Sequence, residues 1–359
     1  MSALCSIRHP AAGTKIDTTV DRVADFAAWD SYVRTHRQGT FFHLSGWGEA
    51  AKRAYGHEPV YLAARRNGRI AGVLPLTYVR APLLGRALVS SAFAVGGGPL
   101  SDDAEALNAL LDAASNIAIG HKASHVECRS DFSAEGWAAK TATHAYFRMT
   151  LTGDETQALA AVPRKRRAEI RKALDAAEAG ELAVRYDGEP ALFYRLYAQS
   201  LHRLGTPVFP KRFFDALLHE FSAAAEISVA EHRGRAVAAL VTFFFKDTAL
   251  PYYVGATPQA RETRAFDFLY WSAMRRAAEK GLTQFDFGRS RIDSGAYQYK
   301  RLWGIEPAPL TYRIKTTGAA TATDIGAASP KFAAFAKLWP YLPGAVANRL
   351  GPLLAPNFP

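Results

Sequence analysis

Apolar positions along this chain switch repeatedly between the helical and the extended period. Residues 23–35 hold them at helical spacing and predict a helix. An aromatic run, Thr40 to Leu44, follows, and Ser45 stands where an N-cap belongs, ahead of a helix to about residue 55. Runs 59–65 and 70–80 read as strands, with Asn67-Gly68 between them as a strong hairpin signal. Residues 88–94 predict another strand, and Gly96-Gly97-Gly98-Pro99 breaks the chain. Asp102 or Asp103 then starts a helix to about 119, and 125–129 reads as a strand.

The second half follows the same order. Helices are predicted over 158–180, 189–204 and 210–222. Runs 226–231 and 237–245 form a hairpin about Arg233-Gly234, and 249–255 is a further strand. A polar loop over 257–265 leads to a helix over 266–280, stopped by Gly281, and a short strand over 284–287. Two copies of one mixed α/β (α+β) unit are therefore expected, each a central sheet flanked by helices. The expected domains are 17–152 and 153–316, with a tail over 317–359 that adds no third core.

Composition narrows the classes. The 359 residues suit two domains. With 49% hydrophobic and 21% charged residues, the chain is neither disordered nor fibrous. Two cysteines, Cys5 and Cys128, without a CxxC pair, argue against a zinc site or redox pair and fit a reducing compartment. No histidine, aspartate and glutamate cluster has metal spacing, so no metal is expected. The N-terminus lacks the apolar core of a secretory signal, and the strongest apolar run, 237–245, is short of the roughly 20 residues a membrane span needs. A cytoplasmic protein is expected, touching a membrane, if at all, peripherally at its inner face. Lys and Arg total 44 against 33 Asp and Glu, a net charge of +11 that favours anionic partners.

The chemistry-bearing residues cluster in the second half. In Arg164-Lys165-Arg166-Arg167-Ala168-Glu169-Ile170-Arg171-Lys172, Arg164, Arg167 and Arg171 share one helical face. Such a stripe holds phosphates or is a solvated face countered by Glu169, Asp175 and Glu178. Arg203 and Thr206, at a helix exit, either present donors to an anion or simply end the helix. Asp286, beside Phe285 and Phe287, is either an acid or base or an aspartate on a solvated strand face. Asp286-Phe287-Gly288 resembles the kinase metal triplet, but no glycine-rich phosphate loop accompanies it. Tyr297, Lys300 and Trp303 mix aromatic and cationic groups: Tyr297 fits proton transfer and Lys300 an oxyanion or phosphate, or the segment is a hairpin edge. His43 reads as a packed histidine.

Several motifs in order resemble the FemAB family, in its branch associated with PEP-CTERM and exosortase exopolysaccharide loci. They are the basic run from Pro163 to Ala173, Leu204-Gly205-Thr206-Pro207, Tyr252-Tyr253-Val254-Gly255-Ala256, Phe285-Asp286-Phe287-Gly288-Arg289-Ser290, Tyr299-Lys300-Arg301-Leu302-Trp303-Gly304, and Ala347-Asn348-Arg349-Leu350-Gly351-Pro352 in the tail. The resemblance implies two tandem GNAT-like domains. It implies transfer of an acyl or aminoacyl group to an amine of a cell-envelope, exopolysaccharide or peptidoglycan-type acceptor, from acyl-CoA or aminoacyl-tRNA, with no tightly bound cofactor. Asp286, Tyr297 and Lys300 are then the expected catalytic residues, with Arg289 also able to balance developing charge. Arg164, Arg167, Arg171, Arg203, Thr206, Tyr253, Arg289, Ser290 and Trp303 are the expected substrate contacts. The partner would be an anionic small molecule or glycolipid, and tRNA is a further candidate. Where the family pattern leads to an expected asparagine, Ala265-Phe266-Asp267 stands. A basic module that binds RNA or a phosphorylated glycolipid without turnover is the alternative. Phe332, Phe335, Leu338 and Trp339 lie near helical spacing and suggest a membrane contact through 332–354, or packing of the tail onto the body.

Overall fold

The computed structural model describes residues 18–23, 25–81, 85–141, 143–318 and 338–357. They divide into two compact units, the first built on residues up to 141 with 311–318 and 356–357, the second on 143–310 with 338–355. Phe332, Phe335 and Cys5 lie outside the described residues.

The first unit contains β1 (Thr19–Arg22), α1 (Phe26–Thr35), α2 (Ser45–Tyr55), β2 (Glu58–Arg66), β3 (Arg69–Ala81), β4 (Gly85–Ser90), β5 (Leu100–Ser101), α3 (Ala104–Gly120), β6 (His125–Cys128) and β7 (Ala138–Lys140). The last strand among the described residues, β15 (Tyr312–Thr316), joins this sheet between β6 and β7. The β2/β3 hairpin turns on Asn67 and Gly68, both at positive φ as a tight two-residue turn requires. Asp103 caps α3 by accepting the Ala106 N–H at 2.9 Å. The strand predicted over 88–94 stops at Ser90, because Ser91 (φ 38°) and Phe93 (φ 67°) turn left-handed. α3 buries Leu110, Leu111, Ala114 and Ala118 against Leu62, Leu74, Leu88 and Val126 of the sheet.

The second unit contains β8 (His144–Thr150), α4 (Glu155–Ala161), α5 (Arg164–Glu178), β9 (Leu182–Arg185), α6 (Pro190–Arg203), α7 (Lys211–Glu220), β10 (Ala225–His232), β11 (Arg235–Phe245), β12 (Thr248–Ala256), α8 (Pro258–Glu262), α9 (Ala265–Glu279), β13 (Gln284–Arg291), α10 (Gly295–Arg301), β14 (Ala308–Pro309) and α11 (Gly344–Leu354). Its sheet runs β14-β8-β13-β12-β11-β10-β9. α5 and α9 cover one face, with Ile170, Ala173, Leu269, Met274 and Ala277 packed on Leu240, Ala249 and Phe285. α6 and α7 cover the other; a Cβ on Gly255 would stand 2.2 Å from the Tyr197 nitrogen, so β12 and α6 meet at backbone distance only because this residue is glycine.

Several predicted elements differ from those observed. The helix over 158–180 is two, split at Val162 and Pro163, where proline lacks the N–H to continue a helix. α8 interrupts the predicted polar loop, the strand over 284–287 extends to Arg291, and Tyr297 to Lys300 form a helix capped by Ser294 rather than a hairpin edge. The unit boundaries also differ from those expected. β8 falls within 17–152 yet pairs in the second sheet, and β15 falls within 153–316 yet pairs in the first. α11, from the tail, packs on the second unit, with Gly351 against Val208.

Candidate active site

In both sheets one strand pair is parallel and parts almost at once. β4 and β6 share only Leu88↔Val126 and Val89↔Glu127; β12 and β13 share only Thr248↔Gln284 and Ala249↔Phe285. Beyond those pairs, β12 and β13 stop forming a ladder, and their facing edges offer main-chain groups to a ligand. Parted parallel strands of this kind are where open α/β sheets bind ligands.

Asp286 lies on β13 just past the parting point and is 3% exposed. Its Oδ1 accepts the Gly288 N–H at 2.7 Å, and its Oδ2 accepts the Tyr146 hydroxyl and an Arg148 N–H at 3.3 Å. Arg148 also donates to the Tyr146 oxygen at 2.9 Å. Burial pushes the carboxyl up to about 7, against the opposing pull of the Gly288 amide and the nearby Lys300 charge. A carboxyl near 7 is poised to exchange a proton at neutral pH.

A bulge decides which neighbours join it. Asp286 pairs with Arg148, but Gly288 pairs with Phe147, so Phe287 is an extra residue on β13. Alternation therefore flips, and Arg289, paired with Tyr146, falls on the face of Asp286. Ser290, paired with Ala145, falls on the opposite, core face. Asp286, Tyr146, Arg148 and Arg289 thus share one face of the sheet.

Lys300 and Tyr297 do not join that face. The Tyr297 ring packs edge-on against Phe147, with centroids 5.3 Å apart. The Lys300 ammonium, 8% exposed, lies 5.5 Å from the Phe147 ring centroid and donates to the carbonyls of Phe287 (2.5 Å), Gly288 (3.3 Å) and Arg289 (3.0 Å). Its three donors are directed at the bulge, so the structure gives Lys300 the task of holding β13 rather than meeting a substrate oxyanion. Burial lowers it to about 7, partly offset by Asp286.

The remaining candidates are spread more widely. Arg164 and Arg171 are exposed on α5, and Arg167 is half-buried beside them. Arg203 donates to the Ala256 carbonyl at 2.6 Å, and burial lowers its pKa; Thr206 is exposed. Tyr253 lies in an aromatic group on the α6/α7 face, 5.0 Å from Phe214 and 6.0 Å from Tyr197. Trp303 is buried under Arg166 in the α5/α9 core. His43 is buried, its Nε2 3.0 Å from the Gly98 carbonyl.

Sequence reasoning passed over three residues. Tyr146 and Arg148 lie about 140 positions from Asp286 and meet it only through β8/β13 pairing. Arg166 was hidden in the basic run. It is buried, paired with Asp267, and its guanidinium lies 4.9 Å from the Tyr299 ring and 5.5 Å from Trp303. Tyr299 also donates to Asp267, at 3.1 Å. The signal was available: Arg166 lies four and seven residues before the apolar Ile170 and Ala173, the inward stripe of α5. Asp267, in the first turn of α9, has its carboxyl raised by burial. Among the described residues no group of three His, Cys, Asp or Glu side chains is placed to hold a metal ion.

The fold is that of two tandem GNAT-like units, each a mixed sheet flanked by helices. The Acetyltransferase (GNAT) domain family matches residues 164–301, which lie within the second unit. Lipid II:glycine glycyltransferase of Staphylococcus aureus (strain bovine RF122 / ET3-1) is 35% identical over 104 residues, 28% of this chain and 24% of that protein. Its counterpart in S. aureus strain USA300 is 34% identical over 104 residues. The chain thus spans about a quarter of the length of the curated relatives it matches. Among solved structures, FemX superposes with a TM-score of 0.66 at 16% identity, over 82% of this chain and 96% of FemX. The C-terminal domain of a putative lysylphosphatidylglycerol synthetase from Agrobacterium fabrum does so with a TM-score of 0.53 at 16% identity, over 82% and 92%.

Proposed function

We propose that the protein transfers an activated acyl or aminoacyl group to the amine of a lipid-linked cell-envelope acceptor. The observation behind this reading is Asp286, a buried carboxyl near 7, bonded to Tyr146 where β12 and β13 part. An amine reaches the enzyme largely as ammonium and must lose a proton before it attacks. The Tyr146 oxygen accepts that proton while the Tyr146 hydroxyl proton moves to Asp286. The neutral amine attacks the donor carbonyl, the new C–N bond forms, and the bond to the thioester sulfur or ester oxygen breaks. Asp286 returns that proton through Tyr146 to the leaving sulfur or oxygen, and the second proton shed by the new amide nitrogen then passes through Tyr146 to Asp286 and on to solvent. Arg148 and Arg289, on the same face, lower the cost of negative charge as the oxyanion forms. The matched relative named for acting on lipid II, and the neighbour named for lysylphosphatidylglycerol synthesis, support a lipid-linked acceptor.

The test supplies acetyl-CoA or glycyl-tRNA as donor, with lipid II in vesicles or a lysine-containing peptide as acceptor, and follows product by mass spectrometry. Amide product from one donor, dependent on the chain, is expected. No product from either donor, with salt-sensitive binding of tRNA in its charged and uncharged forms alike, would leave the basic binding module instead. The exposed cations Arg164, Lys165, Arg171 and Lys172 of α5 favour that second reading.

A further inference from the structure

α11 has two unlike faces. Ala347 and Gly351 point inward, and Gly351 lies against the Val208 backbone so closely that a Cβ would come within 2.9 Å of its nitrogen. The preceding turn is anchored by Trp339, which is 2% exposed and therefore faces the core rather than solvent. It is also anchored by His202, whose Nε2 lies 2.9 Å from the Leu342 carbonyl. The outward face is apolar. Val346, Leu350 and Leu353 recur at i, i+4 and i+7 and are 42%, 39% and 68% exposed. Leu338 (69%) and Tyr341 (86%) extend the patch along the chain, and Leu204 (69%) lies on the segment that α11 touches. An apolar patch of this kind on a folded surface marks an interaction site.

The charge around it selects the partner. Residues 338–357 contain no aspartate or glutamate and one cation, Arg349, beside Leu350 on the outward face. The adjoining segment 202–212 adds exposed Arg203 and Arg212, while exposed Lys211 is matched by Asp215 at 2.7 Å. A closely seated helix with an outward apolar stripe, a neighbouring tyrosine and a net positive margin fits the boundary between headgroups and acyl chains of an anionic bilayer. We infer that α11 and its preceding turn dock the second unit onto an anionic membrane surface. The choice of partner rests on the proposed lipid-linked acceptor, while the docking face itself is independent of the chemistry.

The experiment is flotation of the full chain with vesicles of phosphatidylcholine alone or with one third phosphatidylglycerol, at 50 and 500 mM salt. Flotation with the anionic vesicles, weakened by salt and lost at least tenfold in Leu350→Glu/Leu353→Glu with an unchanged circular-dichroism melt, is the expected result. Arg349→Glu is expected to weaken flotation several-fold with the apolar stripe intact. Equal flotation of the wild type and the double variant would overturn the inference. So would absence of flotation, or a concentration-dependent dimer broken by the double variant, which would assign the face to a second copy. The Asp286→Asn variant floats normally under this account. Transfer to a soluble amine with no flotation would sink the membrane inference alone, whereas flotation with no transfer from either donor would sink the transferase reading alone.

Discussion

Asp286 shows how a bulge and a distant strand turn one carboxylate into a reactive group. Phe287 is the extra residue, Lys300 clamps the carbonyls around it, and Tyr146 closes over the carboxyl from β8. Tyr146→Phe removes the proton relay without emptying the space. We expect kcat to fall about 10²- to 10³-fold with KM little changed, in steady-state transfer to a soluble amine. Lys300→Met is expected to act by position. It frees the bulge and removes a cation that holds the Asp286 carboxyl down, so the acid limb of the rate profile should move to higher pH. A lower rate with an unmoved limb would leave Lys300 with only a structural role. Asp286 itself was visible in the sequence as a carboxylate among phenylalanines. Its partners were not, because sequence places no local signal on a pairing some 140 residues long-range.

At the scale of elements, turn chemistry made the two hairpins legible. Asn67-Gly68 and Arg233-Gly234 are both turns at positive φ, and helices with capping residues or apolar stripes were equally readable. β8 and β15 were not. Each completes a sheet whose other strands lie in a separate stretch of sequence, so neither shows a local hairpin or crossover. A chain beginning at residue 142 keeps β8 and is expected to unfold cooperatively in urea. One beginning at 153 leaves the β13 edge bare and removes Tyr146 and Arg148, and is expected to aggregate or melt without a sharp transition. The other element-scale prediction concerns Arg166, which ties α5 to α9 through Asp267. Arg166→Met leaves a mostly buried carboxylate with the Tyr299 hydroxyl but no cation beside it and is expected to cost about 3 kcal/mol in urea unfolding. Arg166→Met with Asp267→Leu should recover most of that, since no charge is then left alone; no recovery would mean that the ion pair is not what the first substitution breaks.

At the scale of the whole molecule, the two units share a topology but fill their parted strands differently. In the first, Arg129 is buried, pairs with Glu127 at 3.2 Å and donates to the Ala94 carbonyl at 2.7 Å, and Tyr312 donates to the Val95 carbonyl at 2.8 Å. The loop after β4 is thereby held to the strands around the parting point by its own side chains. Arg129→Ala is accordingly expected to lower the melting temperature while kcat per folded molecule stays unchanged. In the second unit the parting point carries a carboxyl near 7, a phenol and two arginines instead. The repeat was readable from the order of elements, whereas the assignment of chemistry to the second unit rested on its motifs. The most direct test of that assignment is the pH profile of single-turnover transfer, from the donor that supports it, for the wild type and Asp286→Asn between pH 5.5 and 9. The account predicts a wild-type rate rising about tenfold per pH unit below about 7 and level above it, as the carboxyl loses its proton. The variant's rate should show no break near 7, rising only with the fraction of neutral amine, and should be at least about 100-fold lower at pH 8. Superimposable profiles would show that Asp286 handles no proton in the reaction, and the central claim would fall.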